Sequence, residues 1–444
     1  MCSVLGMLTI FAATFDLSAQ TALPHAFANI SQLPEGGVSL TLTGRVSSTF
    51  RQYFDIYPIE VSSDLANWKP LVVLFRTNAS TDALLYRETQ SSENQGRFYA
   101  MVTNQLITPF LKPTGPFPVG KTSFLLSNPS RTNRYNVRTN SSFMVSCWYP
   151  AAPKAGELPG PWEDKALAQD PNWWGGYNDR VLRFVTHSLP GASIATNQEK
   201  YPVIIYVPGY SGPRAENQEK FEDLASHGYM VFSADHWEVY GTVFPDGRYL
   251  RGSSQTGEPS TMLTDPVFAA KALTRRIEDV GLILADLDRG SSSISGLGSH
   301  ADTNNIGFIG FSFGAGVAGE MCRTNERCRA VVILDGAGQG AGELVRLGLQ
   351  KPYLMMTVAS NSGLSAFFDK AAPGAVWFLL SNIEHASFVY GYEKIDPIPA
   401  KRDLQRTMKT YILSFFNKFL KNEDDHLLDG PSTNFPRVIA FQKK

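Results

Sequence analysis

The chain is short of several things, and each shortage removes a class of function. It has no charge excess: 40 Lys and Arg stand against 41 Asp and Glu, a formal net charge of −1. Nucleic acid and other polyanions are therefore not expected partners, because no basic field exists to gather them. It has four cysteines, at positions 2, 147, 322 and 328, with no CxxC pair and no His/Cys cluster. That pattern builds neither a disulfide scaffold nor a metal site, and no metal or cofactor is expected. Past the N-terminus it has no apolar run near the roughly 18–20 residues that a membrane-spanning helix needs. The one long apolar stretch, Val4 to Phe15, precedes small residues at Ala19 and Ala22, and the first basic residue is Arg45. Residues 1–22 read as a secretory signal without the usual basic start, which predicts a secreted or periplasmic protein with no integral membrane segment after signal removal.

What is present changes character along the chain. Residues 30–107 alternate apolar and polar residues in short runs such as "VSLTLTG" and "PLVVLFR", the pattern of a small β-sandwich-like accessory domain. Residues 108–120, "TPFLKPTGPFPVG", hold four prolines and read as a junction. From 121 to 425, strands alternate with helical stretches, which predicts an α/β domain: a mostly parallel central sheet with helices on both faces. "YPVIIYV", "IGFIGF", "AVVIL", "PYLMMTV" and "AVWFLL" are buried strands by their unbroken apolar character. "RDLQRTMKTYILSFFNKFL" is a packing helix, and residues 426–444 read as a C-terminal tail.

The chemistry centres on "IGFIGFSFGAG", residues 306–316, where Ser312 lies between Gly310 and Gly314. A strand, a serine flanked by small residues and a helix make a nucleophile elbow, the sharp turn that lifts a hydroxyl above the sheet edge. A serine hydroxyl needs a base, an acid to orient that base, and donors for the oxyanion. Only His385 and His426 follow Ser312. His385, in the loop after "AVWFLL", stands at the carboxyl end of a strand, whereas His426 lies in charged tail. The acid is expected to be Asp335, at the end of "AVVIL", with Asp369 as the alternative. The backbone N–H groups of Phe313 and of Tyr210, in the glycine-bracketed turn "PGYSG", are the expected oxyanion donors. Trp173, Trp174, His236 and Trp237, in aromatic stretches beside strand ends, are candidate substrate contacts. Cys322 and Cys328 bracket a short polar turn and are a candidate disulfide. Cys147 reads as a core residue.

"GPFPVGKTSFLLSNPSR", "FMVSCWYPA", "YPVIIYVPGYSG", "EDLASHGYMVFSADH", "TVFPDGR", "GFSFGA", "VVILDG" and "HASF" occur in this order between about 113 and 420. Together they resemble the plasma-type platelet-activating-factor acetylhydrolase family and its bacterial relatives, of the α/β-hydrolase superfamily. The resemblance implies an α/β-hydrolase fold and a calcium-independent serine esterase that removes short or oxidised acyl chains from phospholipids, so a small-molecule lipid or ester is the expected substrate. In that family the acid follows the strand after the nucleophile strand, which matches Asp335. Phe311 departs from it, since many members have histidine there. "PGY" and "LASHGYMV" also resemble bacterial cutinases and polyester hydrolases, which leaves a polyester-cleaving or broad carboxylesterase as the alternative activity. The reading outside enzymes is a binding protein whose hydrolase fold is inert. The dienelactone hydrolases, a related group, have a cysteine nucleophile where this chain has Ser312.

Overall fold

The computed structural model describes residues 26–32, 38–43, 55–62, 69–76, 83–88, 98–101, 108, 110–128, 141–168, 184–236, 239, 241–251, 264–290, 296–336, 338, 340–358, 362–389 and 398–444. The chain divides into two units, Met1–Ile107 with Lys394–Pro397, and Thr108–Glu393 with Ile398–Lys444.

The first unit is built from antiparallel strands. β1 (Ala26–Gln32), β2 (Val38–Thr43) and β5 (Ala83–Glu88) form one three-stranded sheet; β4 (Lys69–Arg76), β3 (Asp55–Ser62) and β6 (Phe98–Met101) form another. Leu40 and Ile59 are buried, as period-two patterning requires of one strand face.

The second unit is organised by a ten-stranded sheet. Its strands are β7 (Val119–Asn128), β8 (Ser141–Pro150), β9 (Ser188–Pro190), β10 (Tyr201–Val207), β11 (Met230–Ala234), β14 (Ala301–Phe311), β15 (Cys328–Leu334), β16 (Tyr353–Thr357), β17 (Val376–Leu380) and β18 (Val438–Lys443), in the order β18-β17-β16-β15-β14-β10-β11-β8-β7-β9. A two-stranded hairpin, β12 (Gly241–Val243) with β13 (Tyr249–Arg251), stands apart from it. The contiguous strands from β17 to β11 run parallel. All seven residues of β10 are buried, which explains why its sequence is unbroken apolar rather than alternating: both faces of the sheet are covered.

Seven helices of the second unit fall in the described residues: α1 (Lys165–Ala168), α2 (Gln218–Ser226), α3 (Pro266–Asp288), α4 (Phe313–Thr324), α5 (Gly342–Leu347), α6 (Ser362–Asp369) and α7 (Ile398–Phe416). α3 starts at Asp265-Pro266, with the Asp265 carboxylate accepting from the amide of Val267 at 2.8 Å, the side-chain cap that a helix N-terminus needs. One core joins Val203, Ile205 and Val207 to α3, α4 and α6; the other joins Ile204 and Tyr206 to Phe221 of α2 and Leu404, Met408, Tyr411, Ile412 and Phe415 of α7. Successive residues of one strand thus feed opposite cores. Each large apolar side chain fully buried this way is worth about 1.5–3 kcal/mol.

One expectation is corrected here. Residues 426–444 are not simply a tail: β18 pairs antiparallel with β17 and closes that edge of the sheet. Val438 is buried and the Phe441 ring stacks on Phe378 at 5.9 Å. The run is mostly exposed and ends in two lysines, so its pattern is weaker than that of a central strand. Among the described residues, no helix is long and apolar enough to cross a membrane.

Candidate active site

Register brings the serine and the aspartate together. Phe311 of β14 pairs with Leu334 of β15, so the residues that follow, Ser312 and Asp335, leave adjacent strands at the same level. The Ser312 amide donates to Leu334 O at 2.9 Å and the Asp335 amide to Met356 O at 2.8 Å, tying each turn to the next strand. Both residues sit in left-handed backbone, with φ of 52° at Ser312 and 46° at Asp335. Each such non-glycine position costs about 1–3 kcal/mol and persists only where the surroundings enforce it.

The surroundings are close. An added Cβ at Gly310 would lie 2.2 Å from Gly314 O, and one at Gly314 would lie 2.2 Å from Val207 O. The two glycines of the motif are there because helix α4 returns against β14 and β10 with no room for side chains. The strand-to-helix turn and the half-buried serine it presents are therefore one construction.

His385 opens a short 3-10 turn, His385–Phe388, in the loop after β17. A capping box fixes that turn: Ser387 Oγ accepts from the Glu384 amide at 3.1 Å. The Ser312 hydroxyl donates to His385 Nε2 at 2.9 Å, and His385 Nδ1 donates to Asp335 Oδ2 at 2.5 Å. The other Asp335 oxygen accepts from the Val358 amide at 3.0 Å, so the carboxylate cannot swing away from the imidazole without losing a bond. Phe311 stacks on the imidazole, with centroids 4.8 Å apart and planes inclined by 28°. That ring is the residue at which the sequence departs from the resembled family, many of whose members have histidine there.

The turn after β10 lies beside the elbow. A Cβ at Gly209 would be 3.7 Å from Ser312 Cβ and 2.8 Å from the Phe311 ring, so the Pro208-Gly209-Tyr210 backbone borders Ser312. Two buried ionisable side chains anchor it. Glu216 Oε1 accepts from the Gly209 amide at 2.8 Å and from the Tyr206 hydroxyl at 2.5 Å. Arg276 of α3 donates to Pro208 O and, at 3.0 Å, to Gly209 O. Its guanidinium also lies over the Phe313 ring, 5.0 Å from the centroid. Burial pushes the Glu216 carboxyl up to about 7, against the opposing pull of the Tyr206 and Gly209 hydrogen bonds and of Arg276 and Lys220. Sequence reasoning missed both residues. A signal was present for Arg276, because it falls on the buried and mostly apolar side of α3, with Ala269, Ala272, Leu273, Val280, Ile283, Leu284 and Leu287 beside Asp279 and Asp286. An arginine in that apolar stripe needs partners inside the fold.

Other candidates fall elsewhere. His236 is buried, with Nδ1 bonded to Asp279 Oδ2 at 2.8 Å; its place after a strand end puts it against α3 and not on an open surface. Trp173, Trp174 and Trp237 lie outside the described residues. Asp369 ends α6, and it is Asp335 that bonds the imidazole. His426 is exposed and bonds Asp429 at 2.9 Å. Cys322 and Cys328 are joined by a disulfide across the turn from α4 to β15. Cys147 is a buried free thiol whose pKa burial raises, a structural and unreactive setting.

Comparison with known proteins agrees with this architecture. Residues 190–357 match the Dienelactone hydrolase family, a span that includes Ser312 and Asp335 and ends before His385. A probable 1-alkyl-2-acetylglycerophosphocholine esterase of Arthroderma benhamiae is 26% identical over 270 residues, which cover 54% of this chain and 65% of that protein. The chain thus spans slightly less than two thirds of that relative's length. A solved ferulic acid esterase from Streptomyces cinnamoneus matches with a TM-score of 0.64 at 24% identity, over 77% of this chain and 100% of the other. The second unit has the α/β-hydrolase fold, and within it residues 190–357 are similar to the dienelactone hydrolases of that superfamily.

Proposed function

We propose that this protein is a secreted serine ester hydrolase that removes short or oxidised acyl chains from phospholipid or related lipid esters. The observation that carries the reading is the unbroken relay from Ser312 Oγ through His385 to Asp335, with bonds of 2.9 and 2.5 Å. In this relay His385 Nε2 takes the hydroxyl proton as Ser312 Oγ attacks the ester carbonyl. Asp335 holds the imidazole in the required tautomer and stabilises the imidazolium. The amides of Phe313 and Tyr210 receive the oxyanion. The imidazolium then protonates the departing alcohol, leaving an acyl-serine. Water, deprotonated by His385, attacks that ester and releases the carboxylic acid and free Ser312. No redox partner or metal is required by these steps.

The substrate class rests on the ordered motif resemblance and on the name of the Arthroderma benhamiae relative. Export is supported by the signal-like N-terminus and by the Cys322–Cys328 disulfide, since such bonds persist in oxidising compartments.

Steady-state hydrolysis of a nitrophenyl ester series from acetyl to long-chain acyl, together with an acetyl-phospholipid and a polyester film, tests the proposal. The wild type is expected to favour short acyl chains and to cleave the phospholipid, and Ser312→Ala to lose at least ~10⁴-fold in kcat. Turnover retained by Ser312→Ala would end the serine-esterase reading; preference for the film would replace the substrate class with that of a polyester hydrolase.

A further inference from the structure

Arg276 has no part in the relay, yet it touches Phe313 and the peptide unit that carries the Tyr210 amide, the two places from which the oxyanion donors are assigned. Its guanidinium bonds the carbonyl oxygens of Pro208 and Gly209 and covers the Phe313 ring. The bond to Gly209 O matters most, because Gly209 C=O and Tyr210 N–H belong to one peptide unit. No cis peptide occurs among the described residues, and in a planar trans unit the carbonyl and the amide hydrogen point in opposite directions. Holding the carbonyl toward α3 therefore turns the Tyr210 N–H away from α3. The same carbonyl accepts from the Gly212 amide at 2.9 Å, a second restraint on the same rotation.

Glu216 restrains the preceding peptide. It accepts from the Gly209 amide, while Arg276 holds Pro208 O, the carbonyl of that unit. Two consecutive peptide planes are thus gripped by buried side chains, Arg276 from α3 and Glu216 from the segment leading into α2. Neither is accessible to solvent, with Arg276 exposed by 1% and Glu216 by 0%. A buried arginine is kept only where its donors are used, and here its named acceptors are backbone carbonyls of the turn beside the nucleophile.

We propose that Arg276 is a positioning residue for the reaction, fixing the Tyr210 N–H toward the developing oxyanion by anchoring the Gly209 carbonyl and seating Phe313. The inference rests on the serine-esterase reading above. It makes Arg276 act through Tyr210 and Phe313 without touching substrate, and so it belongs to the transition state more than to substrate binding.

The test uses the full-length protein with Arg276→Met and Arg276→Lys. Kinetics on a short-chain nitrophenyl ester are compared with the affinity for a trifluoromethyl ketone, whose adduct on Ser312 carries the oxyanion. Arg276→Met is expected to lower kcat about 10- to 100-fold with KM changed less than about 3-fold, because a displaced donor costs transition-state and not ground-state binding. Inhibitor affinity should fall in step with kcat. Arg276→Lys, which reaches one carbonyl but lacks the planar fork, is expected to lie between. If the Met variant does not fold, the Lys variant alone decides. Wild-type kcat and inhibitor affinity in a folded variant, or a loss confined to KM, would overturn the assignment. Such a result beside an inactive Ser312→Ala would leave the esterase reading standing, whereas an active Ser312→Ala would remove that reading itself.

Discussion

At the scale of single residues, Glu216 couples the turn beside Ser312 to pH. Burial raises its carboxyl from an ordinary 4.5 to about 7. Below about pH 4.5 it is neutral in both folded and unfolded chains. Between about 4.5 and 7 unfolding releases a proton, so this group's contribution to stability falls as pH rises, and above about 7 the loss is complete. The shift corresponds to about 3 kcal/mol. Denaturant unfolding of wild type and Glu216→Gln at pH 5 and pH 8 isolates this contribution from other titrating groups. The variant is expected to gain relative to wild type on going from pH 5 to pH 8; an equal change in both proteins would show that the fold does not raise the Glu216 pKa. Glu216 and Arg276 were not identified from sequence because the bonds that tie them to the turn go to backbone atoms of Pro208 and Gly209, and Arg276 reaches back 67 residues to Gly209. Hydrophobic periodicity marks which side of a helix is inside; it does not name a carbonyl on the other side of the contact. Ser312, in contrast, was legible because glycines, serine, strand and helix are contiguous. Asp335 and His385 were legible as polar residues just beyond apolar strands.

Elements show the same division. Central strands such as β10 and β15 are readable because covering both faces demands unbroken apolar sequence. β18 is an edge strand with Val438 inside and Ile439 exposed, and among the described residues it pairs on one side only, so its demand on sequence is weak. It nevertheless braces β17, whose following loop carries His385. Ser381 N bonds Arg437 O, and Lys444 N bonds Ala375 O, at both ends of the pair. Deleting residues 438–444 is expected to destabilise the second unit by about 2–4 kcal/mol, from lost Val438 and Phe441 burial and unpaired β17 amides. Thermal unfolding measures it, and an unchanged midpoint would contradict a structural role for the strand.

At the scale of the whole molecule, a parallel sheet gathers residues that are distant in the chain. Ser312, Asp335, His385 and the Gly209-Tyr210 turn follow the carboxyl ends of β14, β15, β17 and β10, and α/β sheets collect ligands at that edge. Topology therefore brings together residues up to 176 positions apart in the chain, from 209 to 385, without any of them being near neighbours in sequence. The relay assembled there makes one claim above the rest: Ser312 is a nucleophile activated by His385. Intact-mass and peptide mapping after treatment with a fluorophosphonate measure this directly, because the reagent forms an Oγ–P bond and expels fluoride only at an activated serine. The wild type is predicted to gain one adduct, mapped to Ser312, with His385→Ala labelled at least ~100-fold more slowly. An unlabelled protein, or an adduct on another serine, would contradict the account.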